Sequence, residues 1–206
     1  MSISNYSELK SAIADWLLRT DLTSVIPSFI SMAEAQISRD VRDRRMVKRA
    51  QAEIDTEYST IPSDWQETIR FELTGTPITP LNFISPSQAS EKKAQFVGSG
   101  KPQYFTLIGS GIQVVPAPDD TYQSELTYYA KIDALSDASP TNWLLTYAPD
   151  FYLYACLLQA SPYLDNDERM GTWLALYQRG ADGINLLDER ASTGSAKLSM
   201  RAKPMA

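Results

Sequence analysis

The stretch TIRFELT, residues 68–74, is where the hydrophobic period of the chain changes. Ile69, Phe71 and Leu73 alternate with Thr68, Arg70, Glu72 and Thr74. A period of two puts the apolar residues on one face of a half-buried strand. Gly75 ends the run, and PLNFI (80–84) reads as the strand's partner. Further on, PQYFTLI, GSG and IQVV (102–115) read as a hairpin around a glycine-containing loop. SELTYYAKI (124–132) alternates again, with Leu126, Tyr128, Ala130 and Ile132 on one face. Between these strands SPSQASEKKAQF (85–96) predicts a short helix. Ser85 is its cap, Pro86 lies in its first turn and Gln88 holds the capping-box position.

On either side of this middle the period returns to that of a helix. Near the N-terminus Asn5 and Glu8 give a capping signal, and Leu9, Ile13, Trp16 and Leu17 fall on one face. A second helix is expected from a Ser24 cap with Pro27 in the first turn. Its stripe is Ile26, Ile30, Ala33, Ile37 and Val41, with Ala33 and Ala35 small enough for close packing, and it is expected to run to about Met46 or beyond. After the middle segment, APDFYLYACLLQASPYL (148–164) is apolar nearly all round and predicts a central buried helix. A last amphipathic helix carries Met170, Trp173, Leu174, Tyr177, Ala181, Ile184 and Leu187. Gly171, Gly180 and Gly183 weaken it, each by about 1 kcal/mol relative to Ala.

The expected fold class is α+β: an antiparallel helical bundle built from residues 1–50 and 145–190, with a small β-rich domain, 51–144, inserted into it. Residues 191–206 are small, polar and basic, with no stripe to bury, and are expected to form a flexible tail. Trp16, Ile30, Ile37, Leu157, Trp173 and Tyr177 are expected to share the helical core.

Composition narrows the chemistry. The 206 residues contain no His and one Cys. Without His there is no Ser-His-Asp triad, no Cys-His pair and no Cys/His zinc site. Cys156 sits in the most apolar helix and reads as a small buried hydrophobe. The N-terminus lacks the basic-then-apolar pattern of a signal peptide, and no apolar run approaches the roughly 20 residues of a membrane helix. A cytoplasmic site of assembly fits the single cysteine.

The adjacent carboxylates Asp119 and Asp120, in GIQVVPAPDD (111–120), are the most site-like pair. They follow two prolines that stop a strand, and Asp is favoured in such turns because it accepts bonds from nearby backbone N–H groups. The turn is the expected role. GSG lacks the Lys and Ser/Thr of a phosphate loop, and DNDER (165–169) lacks the ligands of a calcium loop and reads as a helix start. No catalytic residue, metal ligand or cofactor is therefore assigned.

The charge is uneven. The net charge is −6, yet Arg39–Arg49 carries six basic and two acidic residues, and the tail adds Lys197, Arg201 and Lys203 without an acid. Two basic segments on an acidic body suggest docking to an acidic partner, although a solvated helix end paired with Asp40 and Asp43 explains the first equally well. No nucleic-acid motif accompanies them.

The order of these motifs resembles the head–tail adaptor (connector) proteins of tailed bacteriophages. IPSFISMAEAQISRDVRDRRM (26–46) looks like that family's second helix, an FI-x-x-AE core before Arg-rich turns. YSTIPSDWQETIRF (58–71) is similar to its turn into a strand. GKPQYFTLIGSGIQVVPAPDDTYQSELTYYAKI (100–132) matches its Gly hairpin, PAPD turn and Tyr-ending strand. APDFYLYACLLQASPYLDNDERMGTWLALYQ (148–178) looks like its helix pair.

The resemblance implies a structural protein of the virion, without enzymatic activity, at the interface of head and tail. It implies a homo-oligomeric ring under the portal protein, matching a dodecameric portal. That ring would extend the DNA channel without sequence-specific binding and offer a surface to a tail or nozzle protein. Another neck, stopper or tail-completion protein remains an alternative, as does a tail-associated carboxylate hydrolase. The residues expected to dock on the portal are Arg39, Arg42, Arg45, Lys48, Arg49, Lys197, Leu198, Met200, Arg201 and Lys203. No membrane partner is expected.

Overall fold

A computed structural model describes residues 3–19, 21–96, 98–164 and 168–193. The chain divides into two compact units. One comprises residues 1–44 together with 132–206, and the other residues 45–131. Both boundaries fall earlier than the 51 and 144 expected from the sequence.

The first unit is helical. Its elements are α1 (Tyr6–Leu17), α2 (Ile26–Asp40), α4 (Trp143–Tyr147), α5 (Pro149–Ala160) and α6 (Met170–Thr193); α3 (Pro86–Gln95) belongs to the second unit. At the start of α1, Asn5 accepts the Glu8 N–H at 2.9 Å. Glu8 reaches back one residue beyond the cap, to the N–H and hydroxyl of Ser4, both at 2.7 Å.

The core stripes follow the sequence closely. Leu9, Ile13, Leu17, Ile26, Ile30, Ala33, Ile37, Val41, Leu157, Trp173, Tyr177, Ala181 and Ile184 are all buried. Helix α5 sits at the centre, packed on α1, α2, α4 and α6. Several expectations need correction. Trp16 is 44 % exposed, and Met170, Leu174 and Leu187 are exposed as well. Ala35 faces solvent. The cap of α2 is Val25, with no side-chain bond, in place of Ser24.

Gly180 has a packing reason. A Cβ there would lie 2.6 Å from Cδ2 of Phe151, so only glycine allows α6 to approach α5 this closely. The Phe151 ring then stacks on Tyr177, with centroids 4.9 Å apart. Gly171 and Gly183 have nothing within 4 Å of a built Cβ.

The chain enters this unit again at Ile132, and polar groups hold it there. The Ile132 N–H donates to Ser38 Oγ at 3.3 Å, and the Leu135 N–H donates to Glu34 Oε1 at 2.8 Å. Asn142 caps α4 by accepting the Leu145 N–H at 2.9 Å, so helix resumes before the Pro149 expected from the sequence.

The second unit holds two four-stranded sheets. Its strands are β1 (Val47–Ile54), β2 (Tyr58–Thr60), β3 (Trp65–Leu73), β4 (Thr79–Pro80), β5 (Asn82–Phe83), β6 (Tyr104–Ile108), β7 (Gly111–Val115) and β8 (Tyr122–Ala130). The orders are β1-β8-β3-β4 and β2-β7-β6-β5. All pairs are antiparallel except β5 with β6. Ile54, Phe71, Leu73, Leu81, Phe105, Ile112, Val114, Leu126, Tyr128 and Ala130, drawn from both sheets, form one core.

The β6–β7 hairpin turns at Gly109, whose φ of 58° suits a glycine. Helix α3 has the expected capping box between Ser85 and Gln88. PLNFI is divided: Pro80 pairs with Glu72 of β3, whereas Asn82 and Phe83 pair with β6. Ile69 does not join the core. The β3–β8 register shifts between Thr68 and Arg70, so Ile69 is the extra residue of a bulge and is 48 % exposed.

Candidate docking surfaces

The basic segment is not the end of a helix. Helix α2 stops at Asp40, residues 44–46 form a 3-10 turn, and β1 begins at Val47. Tertiary bonds from α6 provide the reason. Asn185 Oδ1 accepts the Arg42 N–H at 2.9 Å and Asp188 Oδ1 accepts the Arg44 N–H at 2.9 Å, so these donors are satisfied without further helix.

The expected docking cations are therefore divided between the two units. Arg39 is exposed in the last turn of α2. Arg42 folds back, its Nη1 donating to the carbonyls of Ser38 at 2.9 Å and Val41 at 2.8 Å, where it caps the helix end. Arg45 is exposed. Lys48 bonds Asp64 Oδ2 at 3.1 Å. Arg49, its side chain 70 % exposed, reaches Glu125 at 3.6 Å. Lys197, Leu198, Met200, Arg201 and Lys203, like the rest of the expected tail beyond Thr193, lie outside the described residues, as do Asp165, Asn166 and Asp167 of DNDER.

The carboxylates have structural partners. Asp119 and Asp120 are exposed in the turn between β7 and β8. Asp120 Oδ1 accepts the Thr121 N–H and Asp119 Oδ1 accepts the Tyr122 hydroxyl, both at 2.7 Å. Glu72 and Glu125 are neighbours across β3 and β8, and each has its own arginine, Arg70 at 3.4 Å and Arg49 at 3.6 Å. Burial acts to raise the Asp64 carboxyl, but bonds from Lys48 and Tyr128 outweigh it and hold the group below its usual range. Burial pushes the Cys156 thiol well up, away from thiolate chemistry. Among the described residues no cluster of His, Cys, Asp and Glu is placed to hold a metal ion, and no helix is long and apolar enough to cross a membrane.

Two features of the helical unit escaped the sequence reading. The first is a buried polar network. Glu34 Oε1 accepts the Tyr152 hydroxyl at 2.6 Å, and Asn142 Nδ2 donates to that hydroxyl at 3.3 Å and to the Asp133 carbonyl at 2.9 Å. Burial raises the Glu34 carboxyl above its ordinary range, with the Tyr152 and Leu135 bonds opposing. Glu34 lies at the i+4 position from Ile30 and reads as part of the stripe, so only its polarity could have singled it out.

The second is an open groove of about 800 Å³ between α1 and the α4–α5 segment, lined by Ala12, Trp16, Leu145, Leu153 and Tyr154 with Asp15 and Asp150 among its walls. Trp16 meets Tyr154 edge-on, with centroids 5.9 Å apart. The signal in the sequence was Trp16 itself, an aromatic residue near the end of a stripe, but nothing local showed that its neighbourhood stays open.

A family model, that of the SU10 adaptor protein, matches residues 4–201 and so spans both units. The chain belongs to the SU10 adaptor protein family. This agrees with the head–tail adaptors that its motifs resemble, and it makes the chain a phage adaptor, a structural component of the virion. No curated protein matches the chain.

Proposed function

We propose that this adaptor is a ring-forming structural part between the portal and the tail of a tailed phage. The helical unit acts as a bundle that carries the β unit as an insertion. Copies assemble beneath the portal in a ring of matching symmetry, twelve-fold for a dodecameric portal. The ring extends the DNA channel, which DNA passes without sequence-specific contact, and presents a surface to the tail or nozzle protein. The observation that carries this reading is the family match, which takes in both units rather than one.

Exposed Arg39, Arg45 and Arg49 are suited to acidic portal residues. Such pairs would strengthen at low salt, because exposed charges are screened over about 8–10 Å near physiological ionic strength. Phage lacking this chain should accumulate DNA-filled heads and separate tails. Electron microscopy of the lysate tests this, and normal tailed particles from the deletion would refute the adaptor role.

A further inference from the structure

Trp16 lies on the stripe of α1 that faces the core, with Leu9, Ala12 and Ile13 buried beside it, yet it is 44 % exposed. A large aromatic residue on a core-facing stripe is normally covered. Here the space beyond it is the groove of about 800 Å³, and its apolar lining of Ala12, Leu145, Leu153 and Tyr154 continues from Trp16. Asp15 and Asp150, both exposed, give the groove an acidic character, and among the described residues neither takes part in an ion pair. An occupant should therefore carry apolar anchors flanked by cations.

The chain contains one such segment outside the described residues: Lys197-Leu198-Ser199-Met200-Arg201. In extended form Leu198 and Met200 share one face, and Lys197 and Arg201 take the other. Reach excludes the segment of the same copy. Arg169, which directly precedes α6, donates Nη1 to the Trp16 carbonyl at 3.0 Å, so Trp16 lies at the N-terminal end of α6. The 24 residues of that helix carry the chain about 35 Å away from it. From Thr193 to Leu198 the chain spans at most about 18 Å.

We infer that the groove seats residues 197–201 of a second copy, with Leu198 and Met200 against Trp16 and Tyr154 and the cations at Asp15 and Asp150. The contact is head-to-tail, the kind that closes a ring. It deepens the ring reading above by naming a bond between neighbouring copies.

The test uses the full chain carrying Leu198→Asp and Met200→Asp, which empties the groove without altering it, and a fluorescent peptide of residues 194–206. Anisotropy should show saturable binding. Asp15→Asn with Asp150→Asn should weaken it about three- to tenfold, as expected for two exposed ion pairs. Trp16→Ala should weaken it tenfold or more, since aromatic anchors dominate such contacts. A charge exchange guards against folding artefacts: Asp15→Lys with Asp150→Lys should lose the natural peptide and bind one with Lys197→Glu and Arg201→Glu. Absence of binding to the folded protein, or binding indifferent to these substitutions, overturns the inference. Peptide bound by isolated portal rings and not by this chain assigns the segment to the portal and also overturns it. Rings that form on the portal while the peptide ignores the groove would sink this contact and leave the ring reading standing.

Discussion

Glu34 is a carboxyl whose burial works against its charge. Its folded-state pKa lies above the ordinary value of 4.5 because burial disfavours the anion, and bonds from Tyr152 and Leu135 offset only part of that. The native state therefore holds this proton more tightly than the unfolded chain does. The stabilisation is present in full below the unfolded pKa and is lost as pH rises through the folded one. Glu34→Gln keeps an acceptor for Tyr152 and Leu135 but cannot titrate. Urea unfolding of both proteins across a pH series should show the wild type losing stability relative to the variant as pH rises through that window, with a constant difference above it. Parallel curves throughout would contradict this account of Glu34. Gly180 and Gly171 make a second pair of tests at this scale. Gly180→Ala forces a Cβ into Phe151 and should destabilise by about 1–3 kcal/mol, the usual cost of overpacking. Gly171→Ala meets open space in the first turn of α6 and should stabilise by up to about 1 kcal/mol. Thermal melts of the two variants should move in opposite directions. The sequence marked both glycines alike as weak points, because only the packed structure distinguishes a glycine beside a ring from one beside solvent.

At the scale of elements, stripes and the caps at Asn5 and Ser85 were legible, and the end of α2 was not. Ile26, Ile30, Ala33, Ile37 and Val41 are buried as their spacing predicts, because a helical period gathers apolar residues on one face, although Trp16, Leu174 and Leu187 show that a place on a stripe does not by itself secure cover. The end of α2 depends on Asn185 and Asp188, more than 140 positions away, and on Arg42 turning back on the last carbonyls. Helix-forming Arg residues in the segment suggested continuation, and tertiary bonds overrode them. Strand β3 shows the same limit. The alternation placed Phe71 and Leu73 correctly, and a bulge that no local pattern announced removed Ile69 from the face. Ile37→Ala should therefore cost about 2–5 kcal/mol, and Ile69→Ala well under 1 kcal/mol, by urea unfolding. Comparable costs at the two sites would contradict the bulge.

At the scale of the molecule, the chain passes from a helical unit into a β unit of 45–131 and back. The change of hydrophobic period marked that middle segment, while its first strand stayed hidden because β1 is basic and only partly buried. Of the candidate site, the burial of Cys156 and the turn at Asp119 and Asp120 were readable from their neighbours. The groove was not, since an open space has no sequence signature. Asp119→Ala with Asp120→Ala should leave particle assembly within a few-fold of wild type. A complete loss of infectivity in intact, tailed particles would argue for chemistry at that turn. The central claim is assembly on the portal, and mass photometry of the purified chain with and without portal rings tests it most directly. The account predicts a discrete complex heavier than the portal by a full ring of chains, twelve for a dodecameric portal, weakened by salt. A chain that leaves the portal mass unchanged at every concentration and salt tested would contradict it.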